Sequence, residues 1–276
     1  MSRKVVALAL STHPGPALAV TVMAVVLGFG VGLEPLRLLL LGLAVLANQV
    51  SVGLSNDWID ADRDRAVGRT DKPVALGRIS VGAVRTGAWI AAGLSILLTL
   101  PLGIAATIAH AVFIASAWSY NAGLKKTPFS VVPYIVSFGL LPAVVTLARS
   151  DPRFAAPWAL GVGALLGIAA HFANVLPDLE DDRVTGVRGL PHRLGRRVVS
   201  ILTYVVLLAA AVLEFVGTGA PAFVPATIGL ALNVIIAIIG IAMIALPTRW
   251  HFRLIILAAI VDVAVLALAG TRLLAG

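Results

Sequence analysis

The sequence predicts an all-α polytopic membrane protein, nine transmembrane helices around a central cavity with a cytoplasmic N-terminus. Three observations predict it. The chain of 276 residues is 59% hydrophobic and only 12% charged, outside the range of soluble domains. Its apolar residues gather into runs of about 20, the length that crosses a hydrocarbon core as a helix. Of its 21 Lys and Arg residues, 17 fall in alternate connections and four on the opposite side, the bias that places a loop in the cytoplasm.

The predicted spans are 16–33, 36–56, 80–100, 103–121, 129–148, 157–177, 198–217, 222–246 and 252–271. Ahead of the first, Arg3 and Lys4 precede six apolar residues before Thr12-His13-Pro14-Gly15-Pro16 interrupts the run, so no cleavable signal peptide is expected. Pro101-Leu102-Gly103 and the 217–221 turn are short, which makes spans 3–4 and 7–8 antiparallel hairpins. Glycine and alanine at small-residue spacings allow close packing in lipid. The whole chain, 1–276, reads as one membrane domain. The absence of cysteine excludes disulfides, thiolate metal sites and a cysteine nucleophile. The net charge of +8 sits between apolar runs, which favours inner-leaflet lipid and an anionic substrate over nucleic acid.

Chemistry concentrates in NDWIDADRDRAVGRTDKP, from Asn56 to Pro73. Asn56, Asp60 and Asp64 share one helical face, and Asp57 starts a second row beside them. A line of like charges destabilises a helix unless a cation neutralises it. The pattern repeats: Asn174, Asp178 and Asp182 recur at the same spacing. Arg65 and Gly68 are matched by Arg183 and Gly186, all at an offset of 118 residues. A solvated acidic helix end explains one motif but not two in register. The metal candidates are therefore Asn56, Asp57, Asp60, Asp64, Asn174, Asp178 and Asp182. They offer hard oxygens suited to Mg²⁺, and two facing rows can clamp a diphosphate through a pair of such ions. The offset spans four helices, so the halves run parallel about an axis along the membrane normal. Pro177, just before Asp178, is expected to kink its helix and aim the second motif inward.

NDWIDADRD resembles the first motif, NDxxDxxxD, of the UbiA superfamily of intramembrane prenyltransferases. DLEDD resembles its second motif, and Tyr120-x4-Lys125 the tyrosine–lysine signature between them. Gly186 and Arg193-Leu194-Gly195 are similar to the menaquinone-type branch. The resemblance implies a Mg²⁺-dependent transfer of an isoprenyl group from its diphosphate to an aromatic, small or lipid acceptor, with diphosphate released. It implies catalytic roles for Asp60, Asp64, Asp178, Asp182, Lys125 and Tyr120. Tyr120 would face the allylic cation, where an aromatic ring stabilises positive charge. Lys72, Lys125, Arg65, Arg69 and Arg188, with Arg183, are the candidates to share the diphosphate, and Lys126 competes with Lys125. Positive-inside topology alone accounts for most of these cations.

Outside the motifs, His171 lies one turn before Asn174 and reads as a cavity histidine or an acceptor contact. Asp262, deep in the last span, pairs with Asn233 at matching depth across the hairpin. Glu214 lies near enough to the external end to reach water. Three alternatives accompany the transferase reading. A cyclase on the same scaffold would ionise the diphosphate without an acceptor. A cation-coupled transporter would show inverted repeats and midplane acids. A CDP-alcohol phosphotransferase would carry a DGxxAR-type signature, which is absent.

Overall fold

The computed structural model describes residues 3–177, 179, 188–219, 223–243 and 248–275. Those residues are helical apart from turns and one isolated bridge between Ala155 and Leu274. In chain order the helices are α1 (Arg3–Leu10), α2 (Pro14–Gly30), α3 (Pro35–Ala66), α4 (Val81–Thr99), α5 (Ile104–Ala122) and α6 (Val132–Leu147). They continue with α7 (Pro157–Val175), α8 (Leu190–Leu194), α9 (Arg196–Gly217), α10 (Val224–Ala242) and α11 (Thr248–Ala269).

Each long helix from α2 onward packs on its successor, and α11 returns to pack on α2, so the helices close a ring. Close approach at the seam depends on Gly30. A Cβ there would lie 2.3 Å from the Ala267 carbonyl oxygen, so no larger residue fits. Gly167 does the same for α6 against α7, where a Cβ would meet the Tyr134 carbonyl oxygen at 2.4 Å. Such backbone-to-backbone packing is how helices associate in lipid, where apolar burial gives little drive. The inner faces carry Leu27, Leu41, Leu141, Leu166 and Leu207, all buried. The outer faces present Phe29, Leu36, Ile90, Leu97, Ile104 and Leu268, all exposed. An apolar exterior of this extent is stable against acyl chains and not against water.

The protein is an integral membrane protein. Each predicted span contains a helix among the described residues, but they differ as membrane crossings. Six helices are long and apolar enough to cross by length and composition, and the α1–α2 pair, bent by 59°, makes a seventh. Helix α6 has only 16 residues. Helix α5 has 19, but Thr107, His110, Ser116, Ser119, Tyr120 and Asn121 dilute its hydropathy.

Three elements depart from expectation. Residues 3–10 form a helix of their own, and the chain turns into α2 at His13, whose φ of 52° is left-handed. Helix α3 does not end at 56 but continues to Ala66. Its 32 residues extend about 48 Å at 1.5 Å per residue, against a hydrocarbon core of about 30 Å, so its acidic end stands beyond the core. Pro177 does not kink α7. The helix ends at Val175, and Leu176 and Pro177 form the turn that follows.

Some polar groups inside the bundle pair across helices. Asn233 Nδ2 donates to Asp262 Oδ1 at 2.7 Å, both side chains buried, the hairpin bond the sequence suggested. Glu214 does not reach water: it is 1% exposed, because α9 packs against both α10 and α11. His110 joins α3 to α5 through Asn48 Nδ2 at 2.9 Å and meets Thr99 Oγ1 at 2.8 Å.

Candidate active site

Helix α3 stops in a way that builds the site. Gly68, with φ of 68°, takes the left-handed position just past the helix end. Its N–H bonds the Arg65 carbonyl at 3.1 Å and the Arg69 N–H bonds the Asp64 carbonyl at 3.0 Å. This paired cap satisfies the last carbonyls and reverses the chain. The returning segment then lays Lys72 against the acidic face it has just left.

On that face Asp57, Asp60 and Asp64 are 1%, 4% and 2% exposed, so each charge needs a partner. Lys72 Nζ donates to Asn56 Oδ1 at 2.9 Å and lies 3.1 Å from Asp57 Oδ1. It also reaches Asp64 Oδ2 at 3.1 Å, as an ion pair off hydrogen-bond geometry. Lys125 Nζ lies 2.5 Å from Asp60 Oδ2. Arg63 Nη2 bridges Asp60 Oδ2 at 3.1 Å and Asp64 Oδ1 at 3.2 Å. His13 Nε2 meets Asp57 Oδ1 at 2.9 Å, which fixes the α1–α2 bend to the site. Asn56 Nδ2 spans to Asp60 Oδ2 and Asn121 Oδ1, each at 3.3 Å. Three carboxylates and three strong cations thus form one compact, charge-balanced cluster. Burial pushes the Lys125 ammonium below the ordinary lysine range, and the Asp60 carboxylate offsets part of that.

Several expectations are redistributed. Of the lysine pair, Lys125 is buried and Lys126 exposed, because the short 3-10 turn Leu124–Lys126 aims only one of them inward. Arg65 is not in the cluster: its Nη1 binds Asp62 at 2.8 Å on the exposed face. Arg69 forks onto Asp71 at 2.8 and 2.7 Å and holds that carboxyl down to about 2. Arg188 is exposed, and its carbonyl accepts from Arg193 Nε. Arg63, not singled out by the sequence, joins the cluster instead. Its i, i+3 spacing from Asp60 was the available signal. His13 and Asn121 had none, since both come from distant segments.

Of the second motif, Asn174 is among the described residues. Asn174 sits in the last turn of α7, exposed, with Nδ2 3.5 Å from the Tyr134 hydroxyl. Asp178, Asp182, Arg183 and Gly186 lie outside the described residues. Beside Asn174 stands an aromatic wall. The Tyr120 and Tyr134 rings meet edge to face at 5.2 Å, and His171 lies 5.7 and 4.9 Å from them.

Among the described residues no three acidic or histidine side chains converge closely enough to hold a metal ion. Their oxygens turn to Lys72, Lys125 and Arg63 instead. The donor chemistry nevertheless fits Mg²⁺: the face offers only carboxylate and amide oxygens, and Asp57 Oδ2 is buried without a hydrogen-bond partner.

The model of the UbiA prenyltransferase family matches residues 17–255. The bacteriochlorophyll synthase 33 kDa chain of Cereibacter sphaeroides is 31% identical over 65% of this chain and 62% of its own. The digeranylgeranylglyceryl phosphate synthase of Methanopyrus kandleri is 29% identical over 57% of this chain and 58% of its own. The chain thus spans about three-fifths of the length of the curated relatives it matches. Among solved structures, a UbiA homolog from Archaeoglobus fulgidus bound to GPP and Mg²⁺ superposes with a TM-score of 0.73. It covers 95% of this chain and 99% of that one at 14% identity. An apo UbiA homolog from Aeropyrum pernix K1 gives 0.69, with 89% and 96% covered at 20% identity. At these identities the structural likeness is one of fold.

Proposed function

The chain belongs to the UbiA prenyltransferase family, and from that premise we propose that it moves an isoprenyl group from an isoprenyl diphosphate to a small or lipid acceptor, releasing diphosphate. One observation carries the reading. Asp57, Asp60 and Asp64 gather at the protruding end of α3, buried and shared among Lys72, Lys125 and Arg63. A lipid-embedded bundle gains little from such a cluster unless it handles a highly charged group beside an apolar tail.

Asn56, Asp57, Asp60 and Asp64, with Asn174, Asp178 and Asp182 from the second half, would hold Mg²⁺. When bound, the ion screens the diphosphate oxygens and stabilises charge as the carbon–oxygen bond breaks. Lys125 and Lys72 place positive charge at the same oxygens, and Tyr120 faces the carbon that becomes cationic. The electron pair leaves with the diphosphate, and the acceptor then supplies the pair for the new bond to the allylic carbon and gives up the proton of its reacting atom. Relatives are named for bacteriochlorophyll, for digeranylgeranylglyceryl phosphate and for 4-hydroxybenzoate, and the acceptor panel below samples such chemistries.

In this reading all nine long helices cross the bilayer and the halves 56–68 and 174–186 are parallel repeats. The site opens to the cytoplasmic face of the cytoplasmic membrane. The deciding experiment is lipid-extract product analysis with purified protein, labelled isoprenyl diphosphates of several lengths and an acceptor panel. Prenylated acceptor with Mg²⁺-dependent diphosphate release supports the transferase, whereas one dominant cyclic hydrocarbon without acceptor makes the protein a cyclase.

A further inference from the structure

The aromatic wall contains a buried polar atom that neither packing nor the diphosphate chemistry uses. His171 is 1% exposed, and its two ring nitrogens differ in environment. Ser130 Oγ lies 3.0 Å from Nε2 and also accepts the Leu190 N–H at 2.9 Å. The hydroxyl keeps its proton and a second lone pair, so Nε2 accepts or donates according to the tautomer. When the Ser130 proton is given to Nε2, the proton of the neutral ring resides on Nδ1. Nδ1 is buried and has no hydrogen-bond partner. Buried polar groups are nearly always matched, and an exception calls for an explanation.

The surroundings say what kind of group would match it. Among the described residues no carboxylate contacts His171. Its neighbours are the Tyr134 ring at 4.9 Å and a tilt of 38°, and the Tyr120 ring at 5.7 Å and 83°. His192 interacts with it electrostatically. A neutral imidazole between tyrosines is a poor seat for a diphosphate, which requires cations. The site is nonetheless next to the donor end. Gly189 approaches so closely that a Cβ would lie 2.7 Å from the Lys125 carbonyl oxygen and 2.8 Å from Ser130 Oγ, and Lys125 itself holds Asp60.

We propose that His171 is the acceptor-binding residue of this site, its Nδ1–H donating a hydrogen bond to an oxygen of the acceptor, whose body lies against Tyr120 and Tyr134. This rests on the transferase reading and adds the acceptor's class: a molecule that presents an oxygen lone pair beside a flat or apolar body. Ser130 is a positioning residue, fixing the tautomer through Nε2.

Two amide substitutions separate this role from a structural one. The glutamine amide reaches the position of Nε2, so His171→Gln keeps the Ser130 contact and loses the Nδ1 donor. The asparagine amide reaches the position of Nδ1, so His171→Asn does the reverse. Wild type and both variants are assayed with geranyl diphosphate and, as acceptors, 4-hydroxybenzoate, 1,4-dihydroxy-2-naphthoate and a glyceryl ether phosphate. The expected result is an acceptor KM raised roughly 10- to 100-fold in His171→Gln and partly restored in His171→Asn. The diphosphate KM and acceptor-free diphosphate release stay at wild-type values in both. The opposite ranking, with Gln near wild type and Asn impaired, assigns the residue to structure and overturns the proposal. A fall in acceptor-free release in both variants places His171 on the donor side and also overturns it. Mg²⁺-dependent diphosphate release by the wild type that yields one dominant cyclic hydrocarbon and no prenylated acceptor refutes the transferase reading itself and takes this inference with it.

Discussion

Replacing Lys125 with alanine removes one cation from a buried, charge-balanced cluster, and its consequences for folding and for turnover differ in size. Lys125 Nζ lies 2.5 Å from Asp60 Oδ2, and both side chains are almost fully buried. Stranding a buried charge costs about 3–5 kcal/mol, but Asp60 is not stranded. It keeps Arg63 Nη2 at 3.1 Å and Asn56 Nδ2 at 3.3 Å, so the stability loss falls below that range and the variant inserts and purifies. The chemical step loses one direct contact to the leaving group. A charge-assisted contact to the departing diphosphate contributes about 1.5–3 kcal/mol, and each 1.4 kcal/mol is a factor of about ten. Lys125→Ala should therefore slow acceptor-free, Mg²⁺-dependent diphosphate release about 10- to 100-fold. Lys126→Ala, at an exposed position in the same turn, should leave it unchanged. The assay is diphosphate release from geranyl diphosphate by purified protein, with and without acceptor. Wild-type release by Lys125→Ala, or an equal loss in Lys126→Ala, would refute the assignment of the leaving-group cation. Undetectable release by the wild type without acceptor would mean that ionisation and transfer are concerted.

The other predictions test the cluster, the interior and the orientation. Asp60→Ala and Asp64→Ala should abolish release, whereas Asp62→Ala, whose side chain is 99% exposed, should stay close to wild type; equal losses in all three would remove the buried face from the mechanism. Arg63→Ala frees oxygens of Asp60 and Asp64, so its Mg²⁺ half-saturation should fall while its melting temperature without Mg²⁺ also falls, and a raised Mg²⁺ requirement would contradict this. Asn233→Ala and Asp262→Ala should show a coupling of about 0.6–2 kcal/mol in a double-mutant cycle with turnover retained; additivity would deny the 2.7 Å bond any energetic role. Reporter fusions after residues 125 and 190 should report cytoplasm, and a fusion at Gly276 the outside; termini on one side would exclude nine crossings.

The sequence by itself determined the solvent, the helices and the acidic face. Apolar run length answers to bilayer thickness, and helical spacing answers to backbone geometry, so both are local properties that one chain displays unaided. The Asn233–Asp262 pair was legible for the same reason, because two helices joined by a short turn place equal depths side by side. Tertiary structure decided which cation serves which carboxylate. Among the described residues Arg63 and not Arg65 joins the cluster, Lys125 and not Lys126 turns inward, and His13 arrives from the bend between α1 and α2. Apart from the i, i+3 spacing of Arg63, these choices depend on how the chain reverses at Gly68, how the 124–126 turn is oriented and where α1 bends, and local spacing announces none of these. Glu214 shows the same limit: its depth along α9 was readable, but its burial was set by α10 and α11 closing over it. A buried charge is decided by what approaches it, and only the closed ring of helices brings those groups together.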